Sequence, residues 1–195
     1  MTQEDAFAVA GDSLVRGFVY EPHFLSATEE TALIDQVRRL PLQEAEYKQF
    51  RAKRRIQSYG ARYDFSANRL MAAEPIAAFL HPLLGHVAEW TGCPAEDFTQ
   101  ALVAEYAPGT QLGWHRDVPE FELVVGVSLA SPCRMRFRRY PPQAREPSIA
   151  VALAPRSVYR LEGEARWQWQ HRIPPTPGLR YSITFRTRRA APHRR

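Results

Sequence analysis

The spacing of apolar residues changes about halfway along the chain, from a helical period to a strand period. In the first half, Ser26 and Glu29 form a capping-box pattern, and apolar residues recur at helical spacing over 33–40. A second apolar stripe over 76–90 follows Pro75, a favourable first residue for a helix, and a proline inside the stripe should kink or split it. Two N-terminal helices are therefore predicted, each with one buried face.

From about residue 99 onward, short apolar runs separated by Pro and Gly replace the helical pattern. Strands are predicted near residues 100–106, 112–115, 123–130, 134–140, 149–153, 157–161, 166–171 and 181–187. One earlier strand is predicted over 15–20. Eight strands without intervening helices favour a jelly roll, or double-stranded β-helix, over a parallel α/β sheet. The expected fold class is α+β, mainly β, with the two N-terminal helices packed on one sheet.

The strand predicted near the C-terminus separates two kinds of side chain. Its three apolar residues share one face, whereas Arg180, Ser182, Thr184 and Arg186 share the other. If the polar face looks into the jelly roll, two guanidiniums lie in a cavity, which is costly unless an anion pairs with them. A dicarboxylic acid would suit this pairing, because a guanidinium can hold a carboxylate through two parallel hydrogen bonds. The alternative is an exposed edge strand with its arginines in water.

Two other predicted strands also have contrasting faces. Alternation over 133–138 puts three apolar residues on one face and three arginines on the other, and a solvated face is favoured over a binding site for these arginines. Over 166–171, the rings of Trp167, Trp169 and His171 would share one face. A histidine beside two tryptophans is more often part of a packed core than a ligand. His171 therefore needs support from other motifs.

Length and composition limit the classes of protein that this chain can form. Its 195 residues suffice for a single domain, and no apolar run reaches the roughly 18 residues that span a bilayer. Cys93 and Cys133 are too few for a disulfide scaffold or a thiolate zinc site. The acidic N-terminus lacks the features of a secretion signal, so a cytoplasmic location is expected. The chain is also expected to act as a monomer.

Positive charge is concentrated in particular segments. The net charge of +5 favours polyanionic partners, although a solvated basic surface would give the same count. Basic residues cluster without acids over 48–55, close to Tyr59, Tyr63 and Phe65. Basic residues beside aromatic residues suit phosphates beside stacked bases. A second arginine group lies over 134–139, and the chain ends in a basic tail.

The segment Trp114-His115-Arg116-Asp117 carries the candidate metal chemistry. If it is extended, His115 and Asp117 point to one side and Arg116 points away. With His171 as a third ligand, they would form the 2-His-1-carboxylate facial triad, which holds Fe(II) and leaves positions free for a co-substrate and oxygen. The His-x-Asp pair by itself is a weak indication, because such pairs also occur on protein surfaces.

In combination, these motifs resemble those of the AlkB family of Fe(II)- and 2-oxoglutarate-dependent dioxygenases. The matching motifs are Tyr106-Ala-Pro-Gly109, His115-x-Asp117, His171 and Arg180-Tyr-Ser-Ile-Thr-Phe-Arg186. Their order and spacing are more specific than any single motif, and the resemblance spans about 53–187. It implies one dioxygenase domain, with helical support and a substrate lid over about 1–98, a jelly-roll core over about 99–187 and a basic tail over 188–195.

The resemblance also implies cofactors and site residues. His115, Asp117 and His171 would be the iron ligands. Arg180 would pair with the distal carboxylate of 2-oxoglutarate with help from Tyr106. The implied co-substrate contacts are Tyr106, Arg180, Ser182 and Arg186, the last near the end that chelates iron. In this family, Fe(II), 2-oxoglutarate and O2 are used to remove N-alkyl groups from bases of DNA or RNA, with release of an aldehyde, succinate and CO2.

The substrate region follows from the same resemblance. The basic-aromatic segment lies where the family's nucleotide-recognition lid would be, over a flipped base or a single strand. The substrate candidates are Arg54, Arg55, Tyr59, Arg62, Tyr63, Phe65 and Trp114. Arg54 and Arg55 would contact phosphates. The aromatic residues could instead form the core of the lid itself.

Some positions depart from the family pattern. Ala104 and Ser182 stand where many members have asparagines that help to hold 2-oxoglutarate, so the co-substrate could be paired differently. Pro119 replaces a second acidic residue near the base, which bears on base choice. Two other functions stay open: the same chemistry on a protein side chain or small molecule, and a non-catalytic basic jelly-roll binding module.

Overall fold

The structure is a computed structural model that describes residues 15–47, 50–143 and 147–190. Lys48 of the predicted basic cluster and residues 191–195 of the predicted basic tail lie outside the described residues. The first strands are β1 (Phe18–Glu21), β2 (Gln43–Tyr47), β3 (Phe50–Tyr59), β4 (Ala61–Asp64) and β5 (Arg69–Ala72). The strand predicted over 15–20 therefore begins and ends slightly later.

Two helices follow the predicted pattern closely. Helix α1 (Ala27–Val37) begins after Ser26, whose side chain accepts from the Glu29 backbone while the Glu29 carboxylate accepts from Ser26, which confirms the capping box. Helix α2 (His81–Thr91) begins later than the pattern suggested, after a short 3-10 turn over 78–80. Pro82 lies in the first turn of α2, where its missing N–H leaves no hydrogen bond unmade. The predicted helix is therefore divided just before this proline, into the 3-10 turn and α2.

The second half of the chain consists almost entirely of strands. They are β6 (Phe98–Tyr106), β7 (Leu112–His115), β8 (Phe121–Leu129), β9 (Cys133–Arg139), β10 (Ile149–Leu153), β11 (Ser157–Leu161), β12 (Trp169–Ile173) and β13 (Arg180–Arg188). A short helix, α3 (Gly163–Trp167), precedes β12.

These strands form two principal antiparallel sheets. The major sheet has the order β1-β11-β8-β13-β6-β3-β2, the minor sheet has the order β10-β9-β12-β7, and β4 and β5 pair as a separate hairpin. Neighbours in the sheets are often far apart in the sequence, as when β13 pairs with both β6 and β8. This arrangement confirms the predicted mainly-β jelly roll.

The apolar residues form two cores on either side of the major sheet. Helices α1 and α2 place residues such as Leu33 and Val87 against its outer face, where they meet Ile183 of β13. The second core lies between the two sheets and includes Met135 and Phe137. The helices therefore cover one sheet, as predicted. None of the described helices is long and apolar enough to cross a membrane.

Central strand β13 has different surroundings on its two faces. Its three apolar residues, Tyr181, Ile183 and Phe185, are buried in the core beneath the helices. By alternation, Arg180 and Arg186 point into the space between the sheets. The structure therefore excludes the alternative of an exposed edge strand with solvated arginines.

The strand predicted over 166–171 is partly wrong. Arg166 and Trp167 belong to helix α3, and β12 begins only at Trp169. The alternation of basic and aromatic residues resembles a strand, whereas a five-residue helix is too short to show a helical period. As a result, Trp169 and His171 share the inward face of β12 and Trp167 does not belong to it.

Candidate active site

The two histidines of the predicted triad come from neighbouring strands of the minor sheet. His115 ends β7 and lies directly opposite His171 of β12, with their ring centres 4.3 Å apart. Asp117 follows just beyond β7, and its Oδ2 lies 3.6 Å from Nε2 of His171. The possible ligand atoms of all three residues lie within 4.8 Å of one another. The three side chains therefore converge with a spacing that suits one metal ion.

Arg186 orients the carboxylate of this group. Its Nε and Nη2 lie 2.8 and 2.7 Å from Oδ1 of Asp117, and its Nη1 donates to Oε1 of Gln100 at 2.9 Å. The second carboxylate oxygen is left to face His171. The resemblance placed Arg186 among the co-substrate contacts, and in the structure its charged partner is the candidate metal ligand Asp117. Gln100, which the sequence did not single out, fixes the far side of the guanidinium.

The protonation states of the histidines suit metal binding. Nδ1 of His115 lies 2.8 Å from the carbonyl oxygen of Gly113, and because a carbonyl only accepts, Nδ1 carries the proton and Nε2 is free. Burial lowers the pKa of His115, and burial together with the neighbouring imidazole lowers the pKa of His171 to about 3. Burial opposes ionisation of Asp117, but Arg186 and the histidines hold its pKa below the usual range. Two neutral imidazoles therefore meet one carboxylate at neutral pH.

Arg180 is a buried guanidinium whose described partners are neutral. Arg180 is only 1% exposed, and its Nε and Nη2 donate to Oγ of Ser128 at 3.1 and 2.9 Å. The guanidinium carbon lies 5.0 Å from the centre of the Tyr106 ring. No carboxylate in the described part of the chain forms an ion pair with Arg180. Because a buried cation without an anion is costly, this end of the cavity suits an anionic ligand.

The end of the cavity around Arg180 forms an anion seat, and Tyr106 connects this seat to Arg54. Strand pairing places Tyr106 directly opposite Arg180, and Nη1 of Arg54 donates to the Tyr106 hydroxyl at 3.3 Å. Arg54 also lines the cavity, as does Ser182. Arg54 was expected to contact phosphates, and the structure places it in the cavity beside Tyr106. Guanidiniums therefore flank Tyr106 on two sides.

Tyr159 is a cavity residue that the sequence did not reveal. It is buried on β11, directly opposite Gly126 of β8. A Cβ added to Gly126 would overlap the ring of Tyr159 and lie 2.5 Å from its hydroxyl oxygen. Glycine therefore leaves the space in which the ring lies across β8 toward the cavity. Burial raises the pKa of Tyr159, so the phenol stays protonated and can donate a hydrogen bond.

Gly126→Ala is expected to lower the free energy of unfolding by about 1–3 kcal/mol, because the added methyl group displaces the buried ring of Tyr159. The matched control is Gly85→Ala in helix α2, where nothing lies within 4 Å of an added Cβ. This control should gain about 0.5–1 kcal/mol, because alanine favours helix over glycine. Urea unfolding measures both changes. Equal effects at the two positions would contradict the tight contact between Gly126 and Tyr159.

Arg166 fixes the loop that follows Asp117. It is 2% exposed, and its Nη2 donates to the carbonyl oxygens of Val118 at 2.6 Å and Phe121 at 2.8 Å. Its guanidinium also lies 4.3 Å from the centre of the Trp167 ring. These contacts hold the segment between the candidate ligand Asp117 and β8. Sequence reasoning missed this role because it assigned Arg166 to a strand.

The site opens into a cavity of about 1740 Å³. Arg62, Tyr63 and Phe65, in and just after β4, line this cavity together with Trp114 of β7. The rings of Tyr63 and Phe65 are 4.9 Å apart and packed edge to face. Together with Arg54, the structure therefore places five of the seven substrate candidates where a ligand would meet basic and aromatic side chains.

Two other substrate candidates lie away from the cavity. Tyr59 is 7% exposed and packs in the core between the major sheet and the helices. Nη2 of Arg55 lies 2.7 Å from Oε1 of Glu105, to which it is ion-paired. Because Arg54 faces the cavity, strand alternation turns Arg55 and Tyr59 to the opposite face of β3. The prediction of base stacking for Tyr59 is therefore wrong, while the phosphate contact of Arg55, which lies outside the cavity, stays a prediction.

Comparison with known proteins identifies the family that has this fold and site. The 2OG-Fe(II) oxygenase superfamily matches residues 17–186, and the chain belongs to this superfamily. Residues 17–186 thus form an iron- and 2-oxoglutarate-dependent oxygenase domain. The AlkB resemblance is confirmed by an Arabidopsis thaliana relative named "Alkylated DNA repair protein ALKBH8 homolog", which is 30% identical over 183 residues, 82% of this chain and 51% of that protein.

Further similarities concern part of the sequence or the fold alone. "Uncharacterized protein L905" of Acanthamoeba polyphaga mimivirus is 34% identical over 100 residues, 45% of this chain and 47% of that protein. The chain thus spans about half the length of the curated relatives it matches. The structure of OsALKBH1 shares the fold with a TM-score of 0.65 and 16% identity, covering 90% of this chain and 99% of that chain. The crystal structure of a Pseudomonas putida prolyl-4-hydroxylase also shares the fold, with a TM-score of 0.63 and 17% identity. This match covers 90% of this chain and 94% of that chain.

The residues of the site fit the cofactors that this superfamily uses. Two neutral imidazoles and one carboxylate, from His115, His171 and Asp117, are the ligand set that suits Fe(II) with open coordination positions. Arg180, buried without a described carboxylate, suits the far end of a dicarboxylic co-substrate. The cavity between them provides space for 2-oxoglutarate and O2.

Proposed function

We propose that this enzyme removes N-methyl groups from nucleobases in single-stranded or locally unpaired DNA or RNA. The observation that carries the proposal is the set of basic and aromatic side chains, Arg62, Tyr63, Phe65 and Trp114, that lines the cavity containing the candidate metal ligands. Aromatic faces suit stacked bases, and cations suit the phosphates beside them. The name of the Arabidopsis relative, an alkylated DNA repair protein, supports the same substrate class.

In this proposal the chain orients the metal ligands before substrate arrives. His115, Asp117 and His171 would hold Fe(II), with His115 fixed by the Gly113 carbonyl and Asp117 fixed by Arg186. When bound, iron and 2-oxoglutarate supply the activation of O2, with succinate and CO2 as products. The oxidised methyl group would leave the base as formaldehyde.

The co-substrate seat would use guanidinium and hydroxyl groups. Arg180 would pair with the distal carboxylate of 2-oxoglutarate, with the hydroxyls of Tyr106, Tyr159 and Ser182 around it. Ala104 lies directly opposite Ser182 in the sheet, so neither position supplies the amide that many AlkB members have there. The buried phenol of Tyr159 supports a different set of hydrogen bonds for the same ligand.

Base selection would rest on shape and stacking. Pro119 lines the cavity at the position where the resemblance leads one to expect an acidic residue, and it offers no side-chain hydrogen bond to a base. The edge-to-face pair of Tyr63 and Phe65 would then position the base. A hydrophobic and aromatic pocket of this kind tolerates related bases better than one built on paired hydrogen bonds.

The proposal predicts release of formaldehyde from methylated oligonucleotides. The enzyme, supplied with Fe(II), 2-oxoglutarate and O2, is incubated with single-stranded DNA and RNA that carry N-methylated adenine or cytosine. Formaldehyde and succinate are measured together and are expected in about equal amounts. Matched unmethylated oligonucleotides are the control, and they should release no formaldehyde.

Two results would contradict this substrate class. Absence of formaldehyde across all methylated adenine and cytosine substrates, with active co-substrate turnover, would reject nucleobase demethylation. Hydroxylation of a peptide or small molecule under the same conditions would then assign the oxygenase chemistry to that substrate. A protein that binds oligonucleotides but turns over no 2-oxoglutarate would be a binding module.

A further inference from the structure

The outer face of the minor sheet carries arginines that the proposed reaction does not use. Arg136, Arg138 and Arg172, with Trp114 beside them, are defined here as the arginine face. We propose that this face binds the phosphate backbone of the nucleic-acid strand whose base enters the cavity. The inference rests on the proposed function, but its residues lie outside the metal site and the co-substrate seat.

Strand register brings the arginine face together from three adjacent strands. Strands β9, β12 and β7 are neighbours in the minor sheet. Arg136 of β9 lies directly opposite Arg172 of β12, and Arg138 lies opposite Gln170. Met135, Phe137 and His171 are buried on the inner face of the same strands. Alternation therefore sends all the intervening basic side chains outward.

The partners of these arginines are uncharged. Arg136 donates to Oγ of Ser148 at 3.1 Å, and Arg138 donates to Oε1 of Gln170 at 2.8 Å. The guanidinium carbons of Arg138 and Arg172 lie 4.5 and 4.9 Å from the centre of the Trp114 ring. Nε of Arg172 is buried and has no hydrogen-bond partner. These contacts orient the guanidiniums without neutralising them.

Several arginines elsewhere on the described surface have carboxylate partners. Arg55 pairs with Glu105 at 2.7 Å, and Arg160 pairs with Glu162 at 3.1 Å. Arg156 and Arg189 are likewise within 4.0 Å of glutamates. No described carboxylate forms such a pair with a member of the arginine face. The positive charge of this face is therefore available to an external anion.

The arrangement of like charges also indicates an anionic ligand. Like charges placed directly opposite one another on adjacent strands destabilise a sheet, and Arg136 and Arg172 are such a pair. A solvated face would reduce this repulsion by letting the side chains spread into water. Here the arginines are half-buried, and two of them are held against Trp114. A phosphate between two guanidiniums would relieve the repulsion by accepting hydrogen bonds from both.

The face is continuous with the cavity. Trp114 and Gln170 belong to the arginine face or contact it, and both also line the cavity. Arg116 follows directly after the end of β7 and stacks on the cavity residue Tyr140, with its guanidinium carbon 3.8 Å from the ring centre. A strand that places one base in the cavity could therefore run directly over these side chains. This continuity favours a nucleic-acid backbone over an unrelated acidic protein.

The test compares variants that remove the same charge from different surfaces. Binding of a fluorescently labelled single-stranded oligonucleotide is measured by anisotropy across a range of salt concentrations. The double variant Arg138→Gln/Arg172→Gln should weaken binding roughly tenfold and reduce the slope of log affinity against log salt by about 0.7 per arginine. The control variant Arg38→Gln/Arg39→Gln, at the exposed end of helix α1, should leave both quantities close to those of the unmodified protein.

A charge-preserving variant separates electrostatics from folding. Arg138→Lys/Arg172→Lys keeps the positive charge and should restore most of the salt slope. Thermal unfolding of every variant identifies any that is not folded, and Arg136→Gln alone replaces a double variant that fails this criterion. A glutamine variant that binds with the slope and affinity of the α1 control would overturn the proposal. Binding of poly-glutamate is measured in the same way. If the glutamine variant loses binding to poly-glutamate but keeps its binding to the oligonucleotide, the proposal is overturned in favour of an acidic protein partner.

Turnover measurements distinguish failure of this inference from failure of the proposed function. With a methylated oligonucleotide, Arg138→Gln/Arg172→Gln should raise KM while a methylated free nucleoside, which lacks a backbone, reacts as before. Normal demethylation with no dependence on the arginine face would reject only the backbone site. Binding that depends on the face, without formaldehyde from any methylated substrate, would reject only the proposed reaction.

Discussion

Asp117→Asn is expected to abolish tight Fe(II) binding and to lower 2-oxoglutarate turnover by more than about 100-fold. The amide oxygen can still accept the hydrogen bonds that Arg186 donates to Oδ1. The amide nitrogen of asparagine, a hydrogen-bond donor that does not bind metal, would then replace Oδ2, the oxygen that lies 3.6 Å from Nε2 of His171. Anaerobic calorimetry measures iron binding, and succinate formation measures turnover. The variant should therefore fold normally and lack the metal.

Two comparisons make this result specific. Asp35→Asn removes an exposed carboxylate of helix α1 and should leave iron binding unchanged. Asp117→Ala should, in addition to losing iron, destabilise the protein by roughly 3–5 kcal/mol, because Arg186 then loses the charge of its partner and also the hydrogen-bond acceptor, which asparagine would keep. Iron affinity in Asp117→Asn equal to that of the unmodified enzyme would remove Asp117 from the metal site.

Arg180→Met is expected to weaken 2-oxoglutarate binding by roughly 30- to 5000-fold, since losing one partner of a buried, hydrogen-bonded ion pair costs about 2–5 kcal/mol. Iron binding should persist, because no candidate metal ligand contacts Arg180. Without co-substrate, the variant should be at least as stable as the unmodified protein, because a buried cation lacking a described anion has been removed. Anaerobic titration with 2-oxoglutarate and urea unfolding measure the two effects.

The matched control for this change lies on the same strand. Arg188→Met removes an exposed guanidinium at the end of β13 and should leave co-substrate affinity unaffected. Arg180→Lys keeps the charge but loses the planar fork, so its affinity should lie between those of the methionine variant and the unmodified enzyme. Unchanged affinity in Arg180→Met would mean that the distal carboxylate binds elsewhere in the cavity.

The parts of the fold that could be predicted are those where one periodicity dominates. In β13, apolar and polar residues alternate over 180–186, so the composition of its two faces followed from the sequence, whereas the sequence left open whether Arg180 faces the cavity or water. The capping box at Ser26 located the start of helix α1 for a similar local reason. His115 and Asp117 were expected on one side because of their spacing, while His171 required the motif order of a family.

The errors arose where local pattern and tertiary position disagree. Basic and aromatic residues alternate irregularly through β3, so the sequence did not indicate that Arg54 faces inward while Arg55 and Tyr59 face outward. Helix α3 is too short to show its period, which hid the role of Arg166. The position of Tyr159 depends on an empty space at Gly126, on a different strand. A contact of this kind is set by the register of the sheet and has no local pattern.

Strand β7 is a four-residue edge strand, and its pairing with β12 is irregular between His171 and Ile173. A divalent ion shared by His115, Asp117 and His171 would fasten this weakly paired segment to its neighbour by coordination bonds. Loss of iron would then do more than stop oxidation, because β7, which carries Trp114, would be held less firmly against β12. Binding of the metal would thereby determine the position of β7 beside the cavity as well as the reaction in the cavity.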